Sequence, residues 1–327
     1  MSLSRPARLP LLKLPWLCIK EVVKSWNMFD IIFFALISQK TRRIVKLLKF
    51  SLKRIKIFLT GRKWIELGSV FRKWNFRNES EPKSFYEHLK KLKKNPLVLQ
   101  KNAIPLYTCR ADASLESFCK DNEVTASKMV MEFLTEVFKC SVETVYIDPD
   151  NFPESGDIGV KSTVNLSVNL PFKYAQGQKL SSLLENLKAT GTCTLWMAIT
   201  EKDFYVDPKL FKCKKLEFWT GSAAWVTRDI LMQFEVPQLH FHYCPFSVED
   251  ILPFITNWFH SDNKKLEYLY VGHQNKHISL ESESFPRIDF SEGLKIVRQD
   301  GLQATIHVTE RDFLFHIWHD QPAITQN

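Results

Sequence analysis

Three side chains in the C-terminal half have the chemistry of metal ligands. His240, His242 and Cys244 alternate along a predicted strand, which would place all three on one face. A closed zinc site needs a fourth ligand, and no further cluster of histidines or cysteines supplies one. His316 and His319 are equally isolated. We therefore expect these histidines to pack in the sheet or at its edge, and we predict no metal site.

Other motifs that carry chemistry are incomplete or absent. The run from Asp148 to Glu154 is similar to a calcium loop, but Pro153 replaces the turn glycine and Gly159 replaces the closing glutamate. This run predicts a plain turn. The sequence has no glycine-rich phosphate loop, no Gly-x-Ser-x-Gly and no His-Glu-x-x-His. We predict no catalytic residue, no cofactor and a protein that is not an enzyme.

The positive charge is concentrated in one segment. The chain has 327 residues and a formal charge of +9. Residues 40–73 contain twelve basic residues and one acidic residue, Glu66, so this segment carries +11 and the rest of the chain −2. Such a segment could bind nucleic acid or an anionic membrane, or it could be a solvated face. No RNA-recognition motif or aromatic ladder accompanies the lysines, which argues against a nucleic-acid partner.

Cysteine usage and hydropathy indicate the compartment. Seven cysteines are scattered without a CxxC pair or a regular framework, and no signal peptide is evident. We expect reduced thiols and an intracellular protein, cytoplasmic or nuclear. The apolar run 31–37 is much shorter than the roughly 20 residues of a membrane helix, so we expect no transmembrane segment.

The N-terminal segment has the pattern of three short helices. Ile19, Val22, Val23 and Trp26 follow the spacing of an amphipathic helix, and Asn27 can cap a second helix. A third helix follows, with Ile44, Val45 and Leu48 on its inner side. So small a unit cannot bury all of its apolar surface. We expect part of that surface to face a partner.

After the helices, the pattern changes to helix-strand units. Residues 52–59 alternate as a strand and 64–67 can pair with them. Later helices over 125–138, 180–187 and 247–259 each precede an apolar strand, and residues 214–218 are echoed at 264–268. The fold class is α+β, with a mixed α/β domain that is either leucine-rich-repeat-like or an ordinary sandwich. Residues 300–318 predict a closing hairpin joined at 309–312.

The N-terminal helices resemble an F-box. The resemblance rests on Leu14-Pro15, Val22-Val23, Asp30-Ile31 and the basic-apolar run 40–45. It implies docking onto the small Skp-type adaptor of a cullin-RING ubiquitin ligase. The alternative is an ordinary helical cap that packs on its own domain.

A second resemblance lies in the C-terminal half. Residues 224–231, 248–251, Trp258 and 265–269 are similar to the F-box-associated domain of the second type found in a large nematode F-box family, and 300–306 with 313–318 resemble its closing hairpin. The order of the two resemblances predicts an F-box over 9–50 and a substrate-receptor domain over 51–327. The F-box-associated region would span about 205–272.

Together the resemblances predict the substrate-recognition subunit of an SCF-type ubiquitin ligase. The F-box would bind the Skp-type adaptor, and through it a cullin, while the second domain would bind an unidentified protein target. For the target, Trp219, Trp225 and Tyr270 are candidates, with core positions as the alternative. The alternative function is nucleic-acid or anionic-membrane binding through 40–73. The predicted adaptor contacts are apolar side chains of the F-box: Leu14, Pro15, Ile19, Val22, Val23, Ile31, Phe34 and Ile37.

Overall fold

A computed structural model describes most of the chain. The described residues are 11–68, 72–78, 97–101, 104–110, 114–119, 122–174, 176–199, 201–244, 246–273, 293–309 and 311–319.

The three predicted N-terminal helices are present. After a 3-10 turn at Leu11–Lys13 they are α1 (Trp16–Lys24), α2 (Met28–Ile37) and α3 (Gln39–Leu48), and we call residues 16–48 the helical module. Asn27 caps α2, since its side chain accepts a hydrogen bond from the backbone N–H of Asp30 at 3.1 Å. Ser38 ends α2 and forms a reciprocal capping box with Thr41 of α3. These caps fix the corners of the module.

The described residues also contain a mixed sheet of fifteen strands. Four further helices lie between its strands: α4 (Glu123–Val137), α5 (Gly177–Asn186), α6 (Arg228–Leu231) and α7 (Val248–His260). The strands in chain order, with β8 and β10 forming a separate pair, are β1 (Ser51–Leu59), β2 (Lys63–Leu67), β3 (Arg72–Asn78), β4 (Leu97–Lys101), β5 (Ile104–Arg110), β6 (Ser114–Cys119), β7 (Lys139–Ile147), β8 (Ser162–Thr163), β9 (Asn165–Tyr174), β10 (Lys188–Ala189), β11 (Thr192–Ala198), β12 (Lys215–Phe218), β13 (Gln238–Cys244), β14 (Tyr268–His273), β15 (Leu294–Val297), β16 (Gln303–Val308) and β17 (Asp312–Trp318).

The centre of the sheet is parallel and follows chain order. From β1 the neighbours are β7, β9, β11, β12, β13 and β14, each parallel to the one before. The antiparallel β14–β17–β16–β15 and β1–β2–β3 ribbons extend its two sides. An ordered series of parallel strands is what stacked helix-strand units produce. A closer likeness to leucine-rich repeats stays a prediction.

Two rows of buried apolar side chains run across these strands. Register pairing aligns the first row, Ile57, Val145, Leu166, Cys193, Leu216, Leu239, Leu269, Phe315 and Ile306. The second row lies two residues along and includes the stacked pair Phe218 and Phe241, with ring centroids 4.9 Å apart. Trp258 of α7 contacts Phe315 edge-on at 5.0 Å. The helices therefore cover this face of the sheet.

Several local predictions are confirmed. The alternating 52–59 strand, its return at 64–67 and the turn at 149–151 are present. The closing hairpin pairs Ile306 with Phe315 and Val308 with Phe313. The helix expected over 247–259 is present as α7, and Ser247 and Asp250 form a capping box at its start. The mixed α+β class is therefore correct, while the domain boundaries stay a prediction.

Other local predictions are wrong in detail. The helix expected over 125–138 begins at Glu123, because the side chain of Asn122 caps it at the N–H of Val124. The similar sequences 214–218 and 264–268 do not occupy equivalent positions in the sheet. The sequence echo matches Leu216 with Leu266, whereas strand pairing across β13 aligns Leu216 with Leu239 and then with Leu269. The alignment of these strands is set by hydrogen-bond register in the sheet, which a five-residue sequence match does not predict.

Candidate functional site

The helical module exposes large apolar side chains at the start of α1. Leu17 is 70 % exposed, Trp16 41 % and the preceding Leu12 38 %. Ile37, the last residue of α2, is 55 % exposed. Exposed tryptophan and leucine side chains within one turn form a surface that a partner protein can bury. Leu12, Trp16 and Leu17 were not predicted as contacts.

The eight predicted adaptor contacts divide into two groups. Buried members hold the helices together: Ile19, Val23, Ile31 and Phe34. Phe34, for example, packs edge-on against Trp26 at 5.2 Å. The others are exposed or half-buried: Leu14, Pro15, Val22 and Ile37. Only this second group is accessible to a partner in the described conformation, and its role in docking stays a prediction.

The helical module also packs on the rest of the chain. Arg72 of β3 donates a hydrogen bond to the Asn27 side chain at 2.9 Å and lies 5.4 Å from the ring of Phe29. Lys46 of α3 pairs with Glu136 of α4 at 3.2 Å. The apolar core of the module is continuous with that of the sheet. The module therefore presents α1 outward from a fixed position on the sheet.

The basic segment 40–73 is partly neutralised. Lys56 pairs with Glu66 at 3.5 Å, and Lys63 pairs with Glu123 at 3.3 Å. Lys46 forms the ion pair with Glu136 described above. A groove of about 200 Å³ lies beside this segment, lined by Arg62, Lys63, Trp64, Lys73, Arg77 and neighbouring residues. Glu66 is already included in the sequence count of +11, but Glu123 and Glu136 lie outside the segment, so the local charge of the surface is smaller than that count suggests.

The face of the sheet opposite the helices carries an unusual set of rings. We call it the open face, and its central row in register is Phe58, Tyr146, Ser167, Thr194, Glu217, His240 and Tyr270. All seven side chains are half-buried. A chain of neighbouring rings, here called the ring row, crosses this face from β11 to β17: Trp196, Trp219, His242, Tyr270, His240, Tyr268, His316 and Trp318.

Polar contacts hold the ring row in place. Tyr270 donates a hydrogen bond to Asp312 at 2.8 Å, and Trp318 donates one to the Thr305 hydroxyl at 2.9 Å. Burial, with the nearby Asp312 carboxylate, raises the pKa of Tyr270 to about 12, so its hydroxyl stays protonated. The outer members remain accessible, with Trp196 37 % and Trp318 43 % exposed. Amphipathic rings on a rigid sheet are typical of protein-binding surfaces.

The three aromatic residues predicted to bind a target lie in two different places: two on the open face and one in the core. Trp219 and Tyr270 belong to the ring row and are half-buried. Trp225 is a core residue that packs near Phe204, Phe218 and Phe234. Trp196 was missed, although its position between two buried residues of a strand, Leu195 and Met197, is a period-two signal that it faces outward.

The expected alternation of His240, His242 and Cys244 on one face is wrong. A bulge separates Phe241 from Cys244, where Tyr243 adopts a positive φ of 58°. The bulge turns the Cys244 side chain into the core. His240 and His242 stay on the open face, beside Glu217 of β12.

Comparison with known proteins identifies part of this region. Residues 209–271, from before β12 through most of β14, match the profile of the F-box associated family. Five members of the ring row, from Trp219 to Tyr270, lie within this match. The chain thus contains an F-box associated domain at residues 209–271.

A relative extends this comparison weakly. The chain is 27 % identical over 135 residues to an uncharacterized protein of Caenorhabditis elegans. The matched region covers 34 % of this chain and 31 % of the relative. The match therefore spans about a third of each protein. No solved structure matches the chain.

In the described part of the chain, the helices are all too short or too polar to cross a membrane.

Proposed function

We propose that this protein is the substrate-recognition subunit of an SCF-type cullin-RING ubiquitin ligase. The observation that carries the proposal is the F-box associated match at 209–271, preceded by a three-helix module with an exposed apolar surface. The helical module binds a Skp-type adaptor and through it a cullin. The C-terminal region binds a protein target.

In this role the chain is not an enzyme. Binding adaptor and target at once raises the concentration of the target near a ubiquitin-charged conjugating enzyme. The rate gain comes from proximity and orientation, so the receptor needs rigid binding surfaces and no catalytic group. An intracellular location, cytoplasmic or nuclear, follows from this function.

The adaptor surface we propose is the outward side of α1 with the end of α2. Leu17, Trp16 and Ile37 are its most exposed large side chains, and Pro15 lies beside them. Burying the exposed part of such side chains on a partner contributes about 1 kcal/mol each. The buried residues Ile19, Val23, Ile31 and Phe34 support this surface from behind.

The target surface we propose is the open face around the ring row. It combines aromatic side chains with few charges, and its strands are held by parallel pairing from β11 to β14 and antiparallel pairing of β14 with β17. Trp196 and Trp318, at the two ends of the ring row, are the most accessible anchors.

Co-purification with a Skp-type adaptor tests the proposal. The native chain should capture the adaptor at 1:1 stoichiometry, and Leu17→Asp should abolish capture because a charge replaces an apolar contact. Val164→Asp is the matched control, since Val164 is also an exposed apolar residue, but it precedes β9. No capture by the folded native chain, or equal loss in both variants, would refute the proposed adaptor surface.

The second candidate function is electrostatic binding through the basic segment. The groove beside Trp64 and Arg62 favours an anionic ligand such as nucleic acid or lipid headgroups. Its signature is affinity that falls steeply with salt and is lost in the double Arg62, Lys73→Ala variant, since both residues line the groove. Adaptor capture through apolar side chains should instead be insensitive to salt.

A further inference from the structure

We propose that Glu217, His240 and His242 form a binding site for a divalent transition-metal ion, best suited to zinc, on the open face of the sheet. This inference concerns a metal site that the sequence did not predict, and it does not depend on the ubiquitin-ligase function.

Sheet register brings the three side chains together. Glu217 of β12 pairs directly with His240 of β13, and His242 lies two residues along the same strand on the same face. One ligand atom from each of the three residues lies within 4.8 Å of the other two. In a tetrahedral zinc site such atoms are about 3.3 Å apart, given metal-nitrogen distances of about 2.0 Å. A bound ion would therefore draw the three ligand atoms closer together by up to about 1.5 Å.

Both histidines have a nitrogen that needs a partner. Nε2 of His240 and Nε2 of His242 are buried and have no hydrogen-bond partner among the residues that the structure describes. Buried polar atoms are nearly always paired, so these two nitrogens, on rings whose centroids lie 6.1 Å apart, require an explanation. A metal ion held by the two histidines would supply the missing partner.

The histidines have the correct charge state for ligation. Burial lowers the pKa of His240 to about 4, and the nearby Lys215 acts in the same direction. Burial also lowers the pKa of His242. Both imidazoles are therefore neutral near pH 7 and keep a lone pair for a metal. Trp219 stacks on His242 with ring centroids 4.0 Å apart, which restricts its ring orientation.

Glu217 supplies the anionic ligand. Burial alone would raise its pKa, but hydrogen bonds from Lys215 and Thr194 lower it, so the carboxylate is ionised. Lys215 lies 2.6 Å from Oε1 of Glu217, and Thr194 donates to Oε2 at 2.9 Å. Thr194 orients the carboxylate as an outer partner, as is common around bound metals. The Lys215 ammonium instead competes with the metal for this carboxylate.

Two histidines and one carboxylate leave one tetrahedral position open. All three side chains are half-buried and both Nε2 atoms are buried, so the fourth ligand would be a water molecule or a group of a bound target. The donor set of imidazole nitrogen and carboxylate oxygen suits zinc better than magnesium or calcium, which prefer all-oxygen sites. A target residue such as histidine or aspartate could complete the coordination.

Calorimetric titration of the chelator-treated full chain with zinc chloride tests the site. The protein should carry Cys18→Ser, because Cys18 is an exposed thiol that can bind zinc by itself. One zinc ion should bind per chain, and His240→Gln or His242→Gln should weaken binding at least tenfold. Cobalt added in place of zinc should give the visible absorption of a tetrahedral complex.

Two further variants make the test specific. Lys215→Met should tighten zinc binding, because it removes the competing cation. His316→Gln, a half-buried ring-row histidine outside the triad, should leave zinc affinity unchanged. Circular dichroism confirms that each variant is folded. Absence of 1:1 binding, or binding unchanged in folded His240→Gln and His242→Gln, would overturn the proposal.

Discussion

Arg298 is a buried cation whose removal should destabilise the C-terminal part of the fold. Its guanidinium is almost fully buried and donates to the carbonyl oxygens of Asn263 at 2.9 Å and Trp258 at 3.3 Å. It also forms a two-point ion pair with Asp300 at 2.9 and 2.8 Å and lies 4.9 Å from the Trp258 ring. Arg298 therefore ties the end of α7 to the β15–β16 connection.

The cost of Arg298→Met follows from these contacts. Loss of the charged donor lowers the free energy of unfolding by about 1 kcal/mol for each of the two carbonyls. Loss of the cation-π contact lowers it by about another 1 kcal/mol. The exposed Asp300 is resolvated and adds little. The total is about 3 kcal/mol, which lowers the melting temperature of a chain of this length by about 4 °C.

Thermal unfolding followed by circular dichroism measures this effect. Asp300→Asn is the control, since it removes the exposed partner but keeps both carbonyl contacts, and it should lower the melting temperature less than Arg298→Met does. The hydrogen bonds from Arg298 hold the pKa of Asp300 well below its usual range, so the pair stabilises the fold above about pH 4 and loses this effect as the pH falls further. An Arg298→Met variant as stable as the native chain would refute the assigned role.

Three further predictions concern other elements. Gly156→Ala should destabilise the fold by more than about 2 kcal/mol, because the added Cβ would lie 2.0 Å from the Ser182 carbonyl oxygen at a φ of +65°; Gly221→Ala, at φ +78° but in open space, should cost only about 1 kcal/mol in the same denaturant titration. Ser247→Ala should cost about 1 kcal/mol by removing the α7 cap, and hydrogen exchange should rise in the first turn of that helix. Burial alone would raise the pKa of Asp157, but hydrogen bonds from Gly159 and Lys128 lower it, so protonating this carboxylate below about pH 4 destabilises the fold. Asp157→Asn should therefore reduce the loss of stability below about pH 4. An unchanged dependence of unfolding stability on pH would contradict this.

Much of the secondary structure could be predicted from the sequence because local signals agree with the fold. The i, i+4 pair Ile19 and Val23 marks the inner stripe of α1, and Asn27 and Ser247 mark helix starts through their side-chain oxygens. Alternation identifies β1 and the closing hairpin in the same way. These signals depend only on neighbours along the chain.

The functional surfaces were harder to predict because they depend on non-local contacts. Leu17 has no signature of exposure, since any apolar residue beside a helical stripe can face either way. The bulge at Tyr243 separates Cys244 from the two histidines, and the third member of the proposed metal site, Glu217, comes from the neighbouring strand. Arg298 is charged and therefore suggests a surface position, yet it is buried by α7.

Hydrogen exchange of the full chain with and without a Skp-type adaptor tests the central proposal most directly. The proposal predicts slower exchange in α1 and at the end of α2 when the adaptor is added, with no change in β1 and β2. Exchange that is unchanged in α1 of the folded chain, at adaptor concentrations well above micromolar, would contradict it.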